Sequence, residues 1–540
     1  KVDKNFREVV QSYYPDGTAS FAVPQRAALT QTNSQDFYNN MRATLKVDKS
    51  VDDHNFSVLV GASREDFRTD SLRAFRDIFV LPEFPVLDAG SALNQAATGS
   101  ASDWALQSFF SRFNYNYKQK YLLELNARYD GSSRFLKGNR YGFFPSMSAG
   151  WRFSEEAFFE EAKSWLSEGK IRFSIGQLGN QNIGTYPAVA AINLGSYTLG
   201  GEIISTAALN DLSNPNITWE TTEEKNIGID LTLFKNFNLT ADYYYRKTSD
   251  ILLQLNIPLI LGLNSPFQNA GVVENKGWEV SLGYHNDYDR PFRYNLVFNI
   301  SDVRNKVLDM NGINQTGLTV NREGHSINSI FGYQTLGYFQ NEDEIANHAT
   351  QFGTLAPGDL KYQDQNGDGI INESDKIIIG STIPRYTYSL NSSFSYKNID
   401  LSFLFQGVGK ADGYLYGAGI QPFTTTGAIG GTIREDNKDR WTPENPNALY
   451  PRLAFGQNNN QQVSQFWMKN ASYLRLKNLQ IGYNIPIRTN TIRNLRVFAN
   501  GSNLFSIDNF WEGYDVEAPV GVGNFYPQVK VYTFGVDVTF

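Results

Sequence analysis

A short segment, residues 364–375, carries side chains of the kinds that bind metal ions. Its candidate ligands, in chain order, are Asp364, Asn366, Asp368, Ile370 through its carbonyl, Asn372 and Asp375. They fall at positions 1, 3, 5, 7, 9 and 12 of an EF-hand-type loop, with a glycine at the sharp turn of position 6. Hard oxygen ligands at this spacing can converge on one ion, so we expect a structural Ca²⁺ site. The alternative is an acidic turn without metal, since Asp375 stands where the usual bidentate Glu would be.

Other arrangements with catalytic chemistry are missing from the sequence. The four histidines are far apart, at His54, His285, His325 and His348. Neither a zinc-type His spacing, a nucleophile elbow nor a phosphate-binding loop is present. The adjacent acids Glu155 and Glu156 are interpreted as a solvent-facing turn, because neighbouring side chains on a turn point apart. The sequence therefore predicts that the chain is not an enzyme.

Composition excludes several other classes of protein. The 540 residues include no cysteine, so disulfide frameworks and thiolate chemistry are excluded. The net charge of −7 is scattered along the chain, which argues against nucleic-acid binding. Aromatic residues make up 14% of the chain, with 30 Tyr and 38 Phe, a bias typical of strands. The longest apolar run, Ile257–Leu263, is too short for a membrane helix.

The elements that would position these residues are strands with a period of two. In Tyr386–Tyr396, aromatic and aliphatic residues alternate with Ser, Thr and Asn. This pattern indicates a strand with one apolar and one polar face. Fifteen such strands are predicted, at 35–48, 54–67, 104–118, 119–131, 141–153, 168–178, 222–234, 236–249, 275–286, 291–303, 384–397, 398–409, 471–485, 493–506 and 528–540. The segment Phe6–Tyr14 is a candidate sixteenth.

The predicted connections alternate between short turns and long loops. The long ones include 68–103, 304–383 and 410–470, which is unusual for a compact soluble domain. An outer-membrane β-barrel has short periplasmic turns, long extracellular loops and an apolar outer belt. We therefore predict an all-β, transmembrane antiparallel β-barrel. Its lipid-facing belt should include Tyr388, Leu390, Phe403, Phe405, Leu239, Tyr243, Val536 and Val538.

An ordered series of motifs resembles one particular family. The series runs through Asp130–Phe135, Tyr141–Ser146, Gly150–Arg152, Asn214–Glu220, Asn275–Glu279, Gly358–Tyr362, Asp364–Gly369, Arg440–Pro443, Ser472–Asn478 and Asn503-Leu504. Each motif is weak alone, but their order and spacing together are specific. The chain resembles the SusC/RagA-type TonB-dependent outer-membrane transporters.

This resemblance implies a 22-stranded barrel that encloses a plug domain. The fifteen or sixteen strands predicted here would then be the C-terminal portion of one barrel domain, residues 1–540, with no plug, TonB box or signal peptide in this sequence. The region 304–383 would be a long extracellular loop that contains the calcium loop 364–375. The expected location is the outer membrane of a Gram-negative bacterium.

The resemblance also implies active import of a large nutrient, an oligosaccharide or glycan fragment, or an oligopeptide. The implied partners are a SusD-like surface lipoprotein, TonB and outer-membrane lipid, and a dimer of transporter–lipoprotein pairs is an assembly it allows. The alternatives are a receptor or adhesin barrel without transport, and an outer-membrane hydrolase. Among the tryptophans, Trp151 and Trp278 are expected in the aromatic girdle, whereas Trp441 and Trp511 in loops are candidate ligand platforms.

Overall fold

The computed structural model describes most of the chain. The described residues are 2–8, 10–13, 17–24, 26–190, 192–209, 211–254, 257–286, 289–311, 317–417, 419–423, 433–455, 458–487, 491–518 and 520–540. The proposed strand end at Tyr14 and part of the predicted turn 287–290 lie outside them.

Strands dominate the described part of the chain. They are β1 (Val2–Arg7), β2 (Val10–Tyr13), β3 (Ala19–Val23), β4 (Ala28–Val51), β5 (His54–Asp77), β6 (Ala96–Tyr117), β7 (Tyr121–Ser132), β8 (Tyr141–Trp151), β9 (Leu166–Asn180), β10 (Ile192–Leu199), β11 (Glu202–Leu209), β12 (Glu220–Leu233), β13 (Phe237–Gln254), β14 (Phe267–His285), β15 (Phe292–Asp309), β16 (Thr319–Val320), β17 (Ser329–Gly332), β18 (Thr335–Tyr338), β19 (Leu360–Tyr362), β20 (Ile377–Ser381), β21 (Arg385–Tyr396), β22 (Ile399–Lys410), β23 (Asp412–Tyr414), β24 (Met468–Asn470), β25 (Tyr473–Ile485), β26 (Asn494–Asp508) and β27 (Val531–Thr539).

Helical structure is short. The α-helix α1 spans Glu342–Ala346, and 3₁₀ turns span Leu87–Ala89, Phe153–Glu155, Ala157–Ser164, Leu259–Leu261, Glu373–Asp375, Glu435–Lys438, Asn459–Gln461 and Gln465–Trp467. Within the described ranges, no helix is long and apolar enough to cross a membrane.

Sixteen strands form one antiparallel sheet. Their order is β1, β4, β5, β6, β7, β8, β9, β12, β13, β14, β15, β21, β22, β25, β26 and β27, so that neighbours in the sheet follow one another along the chain. Each of the fifteen predicted strands corresponds to one strand of this sheet, and β1 is the sixteenth. The candidate sixteenth strand Phe6–Tyr14 is wrong in its extent, because it overlaps β1 only at Phe6 and Arg7 and otherwise contains β2, which pairs with β3 outside this sheet. The predicted all-β antiparallel architecture is confirmed.

The connections are sorted by length between the two ends of the sheet. At one end of the sheet, turns of two or three residues connect consecutive strands. Examples are the turns from β4 to β5, from β12 to β13 and from β21 to β22. The connections that follow β9, β15 and β22 all leave from the opposite end and are long. We call these ends the short-turn end and the long-loop end.

The two faces of the sheet differ in polarity. Strand register places all eight predicted belt residues on one face, from Leu239 beside Leu231 on one side to Val536 beside Val497 on the other. Tyr243 and Val536 are more than half exposed on this apolar face. The other face carries ion-paired side chains such as Arg172 and Asp242. This is the distribution expected of a barrel with lipid outside and water inside.

The predicted loop 68–103 is wrong in its extent. β5 continues to Asp77 and β6 begins at Ala96, so only residues 78–95 connect them. The apolar face of β5 changes character along its length, from Val58 and Val60 to the ion pair between Arg64 and Asp66. The strand therefore continues beyond its apolar part into a section that carries polar side chains on both faces and can lie in water.

Buried apolar residues are concentrated at the long-loop end. The largest cluster comprises Ile330, Tyr414, Leu415, Ile420, Tyr450, Trp467 and Trp511. A second comprises Tyr333, Leu360, Tyr362 and Ile371. The two predicted long loops 304–383 and 410–470 both contribute to the first cluster, so their described parts pack together.

Candidate functional site

The predicted calcium loop lies between β19 and β20, against the second apolar cluster. The Thr350 N–H donates to the Gly369 carbonyl at 2.9 Å, and the Ile371 N–H donates to the Thr350 carbonyl at 2.8 Å. Gly367 and Gly369 have φ angles of +76° and +80°, a region that favours glycine. The sequence therefore supplies glycine at the two points where the loop folds back.

Backbone amides hold the carboxylates at the start and end of this loop. Asp364 accepts hydrogen bonds from the N–H groups of Gly367 at 2.7 Å and Gly369 at 2.9 Å. Asp375 accepts from the N–H groups of Gln365 at 2.9 Å and Asn372 at 2.8 Å. The Asp375 carboxylate is fully buried, and these bonds close the loop on itself.

The remaining candidate ligands make contacts with one another. Asn366 Nδ2 donates to Asp368 Oδ2 at 2.9 Å, and Asn372 Nδ2 donates to the Ile370 carbonyl at 3.2 Å. The loop thus pairs Asn366 with Asp368 and Ile370 with Asn372.

The electrostatics of the loop favour an ionised Asp364. The hydrogen bond from the Gly369 N–H, reinforced by those from Gly367 and Asn366, lowers the pKa of Asp364. Over the described part of the chain, no three His, Cys, Asp or Glu side chains are grouped as metal ligands. Calcium binding by the loop therefore stays a prediction.

A buried polar network lies beside the calcium loop and joins the two long loops. Asp359, fully buried, accepts from Arg452 Nε at 2.8 Å and Nη2 at 2.9 Å. Asn460 Nδ2 donates to the same carboxylate at 2.9 Å. Tyr362 Oη donates to the Asn459 carbonyl at 2.6 Å. Residues about 90 to 100 positions apart in the sequence are thereby fixed together.

A second ionic cluster pins the last connection at the long-loop end. Arg475 of β25 is 3% exposed and donates to Glu517 at 2.6 Å and to Asp515 at 2.8 Å. Tyr473 Oη donates to Glu517 at 2.8 Å, and Lys477 lies 3.5 Å from that carboxylate. The alternate residues of the motif Ser472–Asn478 thus hold the loop between β26 and β27.

The polar face of the sheet lines a cleft near the short-turn end. This cleft has a volume of 640 Å³ and is lined by residues of β4 to β9 and β12, including Glu124 and Lys170. Arg172, which also lines this cleft, forms bidentate ion pairs with Asp230 and Asp242, with N–O distances between 2.7 and 3.0 Å. A face of this kind can line an aqueous passage.

The loop tryptophans proposed as ligand platforms lie in packed cores. Trp441 is 8% exposed and Trp511 is 5% exposed, so neither offers an open ring face for stacking on a solute. Trp151 and Trp278 lie on the apolar face, opposite Tyr121 and Tyr243 respectively. This placement is the one that the predicted aromatic girdle requires, and membership of the girdle stays a prediction.

An apolar hairpin escaped the sequence analysis. Strands β10 and β11 pair with each other within the connection that follows β9. Among its side chains, Leu194 is 84% and Ile203 is 78% exposed. Glycines and the adjacent Ile203-Ile204 interrupt the alternation of apolar and polar residues in this hairpin. A search for period-two strands therefore does not detect it.

Comparison with known proteins gives a consistent set of matches. Residues 3–504 match the family model described as TonB dependent receptor-like, beta-barrel. TonB-dependent receptor P26 of Formosa agariphila is 32% identical over 535 residues, which covers 93% of this chain and 53% of that protein. TonB-dependent receptor SusC of Bacteroides thetaiotaomicron is 29% identical, with coverage of 91% and 49%. The chain thus spans about half the length of the curated relatives it matches.

A solved structure shares the fold. A chain of the RagAB peptide transporter superposes with a TM-score of 0.82 at 24% identity, covering 96% of this chain and 57% of its own. None of these proteins is named as an enzyme, in agreement with the prediction from the sequence.

Proposed function

The chain belongs to the TonB-dependent receptor β-barrel family of Gram-negative outer-membrane proteins, and from this premise we propose that its parent protein actively imports a large nutrient. The proposed solute is an oligosaccharide or glycan fragment, or alternatively an oligopeptide. The observation that carries the proposal is a polar face of the sheet together with loops that pack into buried clusters at the long-loop end. A passive pore would not need loops packed in this way, because small solutes diffuse through an open lumen.

Energy coupling is proposed to come from TonB acting on a plug domain. The relatives are about twice as long as this chain, which leaves room for such a domain in the parent protein. The ion-paired inner face, with Arg172 and Asp242 among its charges, is the wall along which a plug and a hydrated solute would move. No bond is made or broken in the solute by this mechanism.

A SusD-like lipoprotein is proposed to cover the long-loop end. The apolar hairpin β10–β11 supports this, because an isolated two-stranded hairpin is marginally stable in water and gains from being covered. Its Leu194 and Ile203 side chains lie on one face, and Glu202 is its one charged residue. The hairpin is therefore proposed as part of the lipoprotein contact, together with the long connections at the same end, which lie within 68–103, 304–383 and 410–470.

Bound calcium is proposed to hold the loop 364–375 in shape. The paired ligands of this loop and the ionised Asp364 support the proposal, since Ca²⁺ prefers carboxylate, amide and carbonyl oxygens. The ion would stiffen the loop against the cluster of Tyr333, Leu360, Tyr362 and Ile371. It would have no part in chemistry on the solute.

Deletion of the parent gene should abolish growth on the solute that the protein imports. Growth of the deletion strain would be measured on oligosaccharides and on peptides as separate sole nutrients, with uptake of a labelled solute followed in parallel. Permeabilising the outer membrane should restore growth, because the defect lies in import and not in metabolism. A proton ionophore should stop uptake by wild-type cells while leaving surface binding intact. Binding without any uptake would instead indicate a receptor or adhesin.

Acidic substitutions in the hairpin should weaken lipoprotein docking by tenfold or more. Burying a Leu or Ile side chain contributes about 1.5–3 kcal/mol, so Leu194→Asp and Ile203→Asp remove contacts of that order. Co-purification of the lipoprotein with the full-length transporter in mild detergent would measure the effect. Asn193→Asp is the matched control, because it adds the same charge on the other face without removing apolar surface. Equal loss from all three variants would contradict this contact.

A further inference from the structure

The connection between β8 and β9 lies on the apolar face of the sheet rather than beneath its polar face. The ring of Phe153 packs against Gly169, where an added Cβ would lie 2.5 Å from the ring. Gly169 is on β9 opposite Leu231, whose side chain points to the apolar face. Glycine at this position leaves the space that the ring occupies, so the segment that follows Phe153 starts outside the wall.

Glu156 fixes the segment to two aromatic residues of the apolar face. Its carboxylate accepts from Tyr121 Oη at 2.6 Å and from Trp151 Nε1 at 3.2 Å. Tyr121 and Trp151 are register partners on β7 and β8 at the short-turn end. The turn Glu155-Glu156 is thus only in part the solvent-facing turn predicted from the sequence.

Aromatic rings continue from the strands into the segment without a gap. Trp151 contacts Phe153 with centroids 6.0 Å apart, Phe153 contacts Phe159 at 5.1 Å, and Phe159 contacts Phe158 at 5.0 Å. Phe158 at the end of this row is 71% exposed. Exposed Trp165 follows at the end of the segment, and its carbonyl accepts from the N–H of Phe234, which is also exposed.

We propose that residues 153–165 form an interfacial segment that inserts Phe158 and Trp165 into the periplasmic leaflet of the outer membrane. Its exposed rings are continuous with the lipid-facing surface of the barrel, and the short-turn end of such barrels is the periplasmic end. Amphipathic aromatic side chains are favoured at the boundary between headgroups and acyl chains. The segment would set the depth at which the barrel sits in the membrane.

The charge of the segment selects the kind of lipid. Between Glu155 and Lys163 there are four glutamates and one lysine. Glu155 pairs with Arg152, Glu156 with Lys120 and Glu160 with Lys163, so the surface that faces the headgroups keeps one net negative charge, at Glu161. Anionic headgroups would repel this surface, whereas zwitterionic headgroups offer an ammonium group to it. The occupant is therefore a zwitterionic phospholipid, and the proposal does not depend on which solute the protein imports.

Spin labels on single cysteines test the insertion directly. This chain contains no cysteine, so Phe158→Cys and Glu160→Cys each introduce one label site in it. Full-length protein in nanodiscs of zwitterionic phospholipid would be examined by EPR with oxygen and a nickel chelate as relaxation agents. At position 158 oxygen accessibility should exceed nickel accessibility several-fold, and at 160 the order should be reversed.

Two results would overturn the proposal. Equal nickel accessibility at 158 and 160 would mean that Phe158 faces water. An immobilised label at 158 that neither agent reaches would mean that protein covers it. Exchange of the lipid for an anionic phospholipid should make the label at 158 shallower, and a deeper label would reject the assigned lipid class.

Discussion

Replacement of Arg452 by methionine is expected to destabilise the long-loop region by about 3–5 kcal/mol, the usual cost of leaving one member of a buried ion pair without its partner. Asp359 would lose its bidentate guanidinium partner and keep neutral donors that include the Asn460 amide and the Ala356 N–H, each at 2.9 Å. Its carboxylate has no exposed surface, so water cannot replace the guanidinium without opening the loops. The barrel strands should be unaffected, because neither residue contributes to the sixteen-stranded sheet.

Hydrogen exchange on the full-length protein would measure this loss. Peptides that cover β18 and β19 should exchange faster in Arg452→Met by two orders of magnitude or more, since 1.4 kcal/mol corresponds to a factor of ten. The control is Arg64→Met, which breaks an ion pair of similar length whose side chains are 63% and 42% exposed. Exposed pairs contribute about 0–1 kcal/mol, so this change should be small.

A double variant distinguishes two causes of the destabilisation: the loss of attraction between the two charges, and the burial of Asp359 without a charged partner. Asp359→Asn combined with Arg452→Met removes both charges, and should recover part of the stability lost in Arg452→Met alone. If the double variant exchanges faster than the single one, the network acts chiefly through the attraction of its two charges. If Arg452→Met leaves exchange unchanged, the loops are held together by apolar packing alone.

The strands of the barrel could be predicted because the membrane imposes the alternation. Leu390 and Phe405 must face lipid while their neighbours face water, so period two is strict there. Where the same strands extend beyond the membrane, the alternation is lost and the sequence no longer predicts them. Arg64 and Asp66 lie on the apolar face of β5 yet above its apolar part, and the predicted strand ended at residue 67 for that reason.

The motifs of the loops could be seen in the sequence, but their purpose could not. Gly358 has a φ angle of +91°, and an added Cβ would lie 2.4 Å from the ring of Trp441. The next residue, Asp359, binds Arg452. The motifs Gly358–Tyr362 and Arg440–Pro443 therefore form one packed unit, and Trp441 is part of it rather than a platform for solute. Contacts across about 80 residues have no signature in a single sequence.

The calcium loop represents the opposite case, in which the sequence pattern is more informative about metal binding than the geometry of the loop. Spacing alone selects six ligands, and the structure brings together Asn366 with Asp368 and Ile370 with Asn372. Carboxylates that already accept backbone N–H groups keep further lone pairs for a cation, since each has about four acceptor sites. The hydrogen bonds of Asp364 and Asp375 are thus compatible with the predicted calcium site and would orient these two carboxylates for an ion.

The double variant Asp364→Ala, Asp368→Ala is expected to abolish calcium binding by the full-length protein, a loss of 100-fold or more in affinity. Two of the three charged ligands disappear, and extracellular calcium modules bind only with Kd values of about 0.1–1 mM even when complete. Calorimetry would measure binding, and limited proteolysis with and without a chelator would report the order of the loop. Asp375→Ala is unsuitable here, because it removes the buried anchor of Gln365 and Asn372 and would loosen the loop in any case.

Glu373→Ala is the matched control, because its carboxylate lies in the same loop, is 75% exposed and pairs with Lys376 outside the ligand set. It should bind calcium as the wild type does. The pH dependence adds a second check. Because backbone hydrogen bonds lower the pKa of Asp364 from its ordinary 3.8, that ligand stays ionised down to still lower pH, and affinity should change little between about pH 8 and pH 5. A wild-type protein that takes up no calcium, or a chelator that leaves its proteolysis unchanged, would reduce the loop to an acidic turn closed by its own amides.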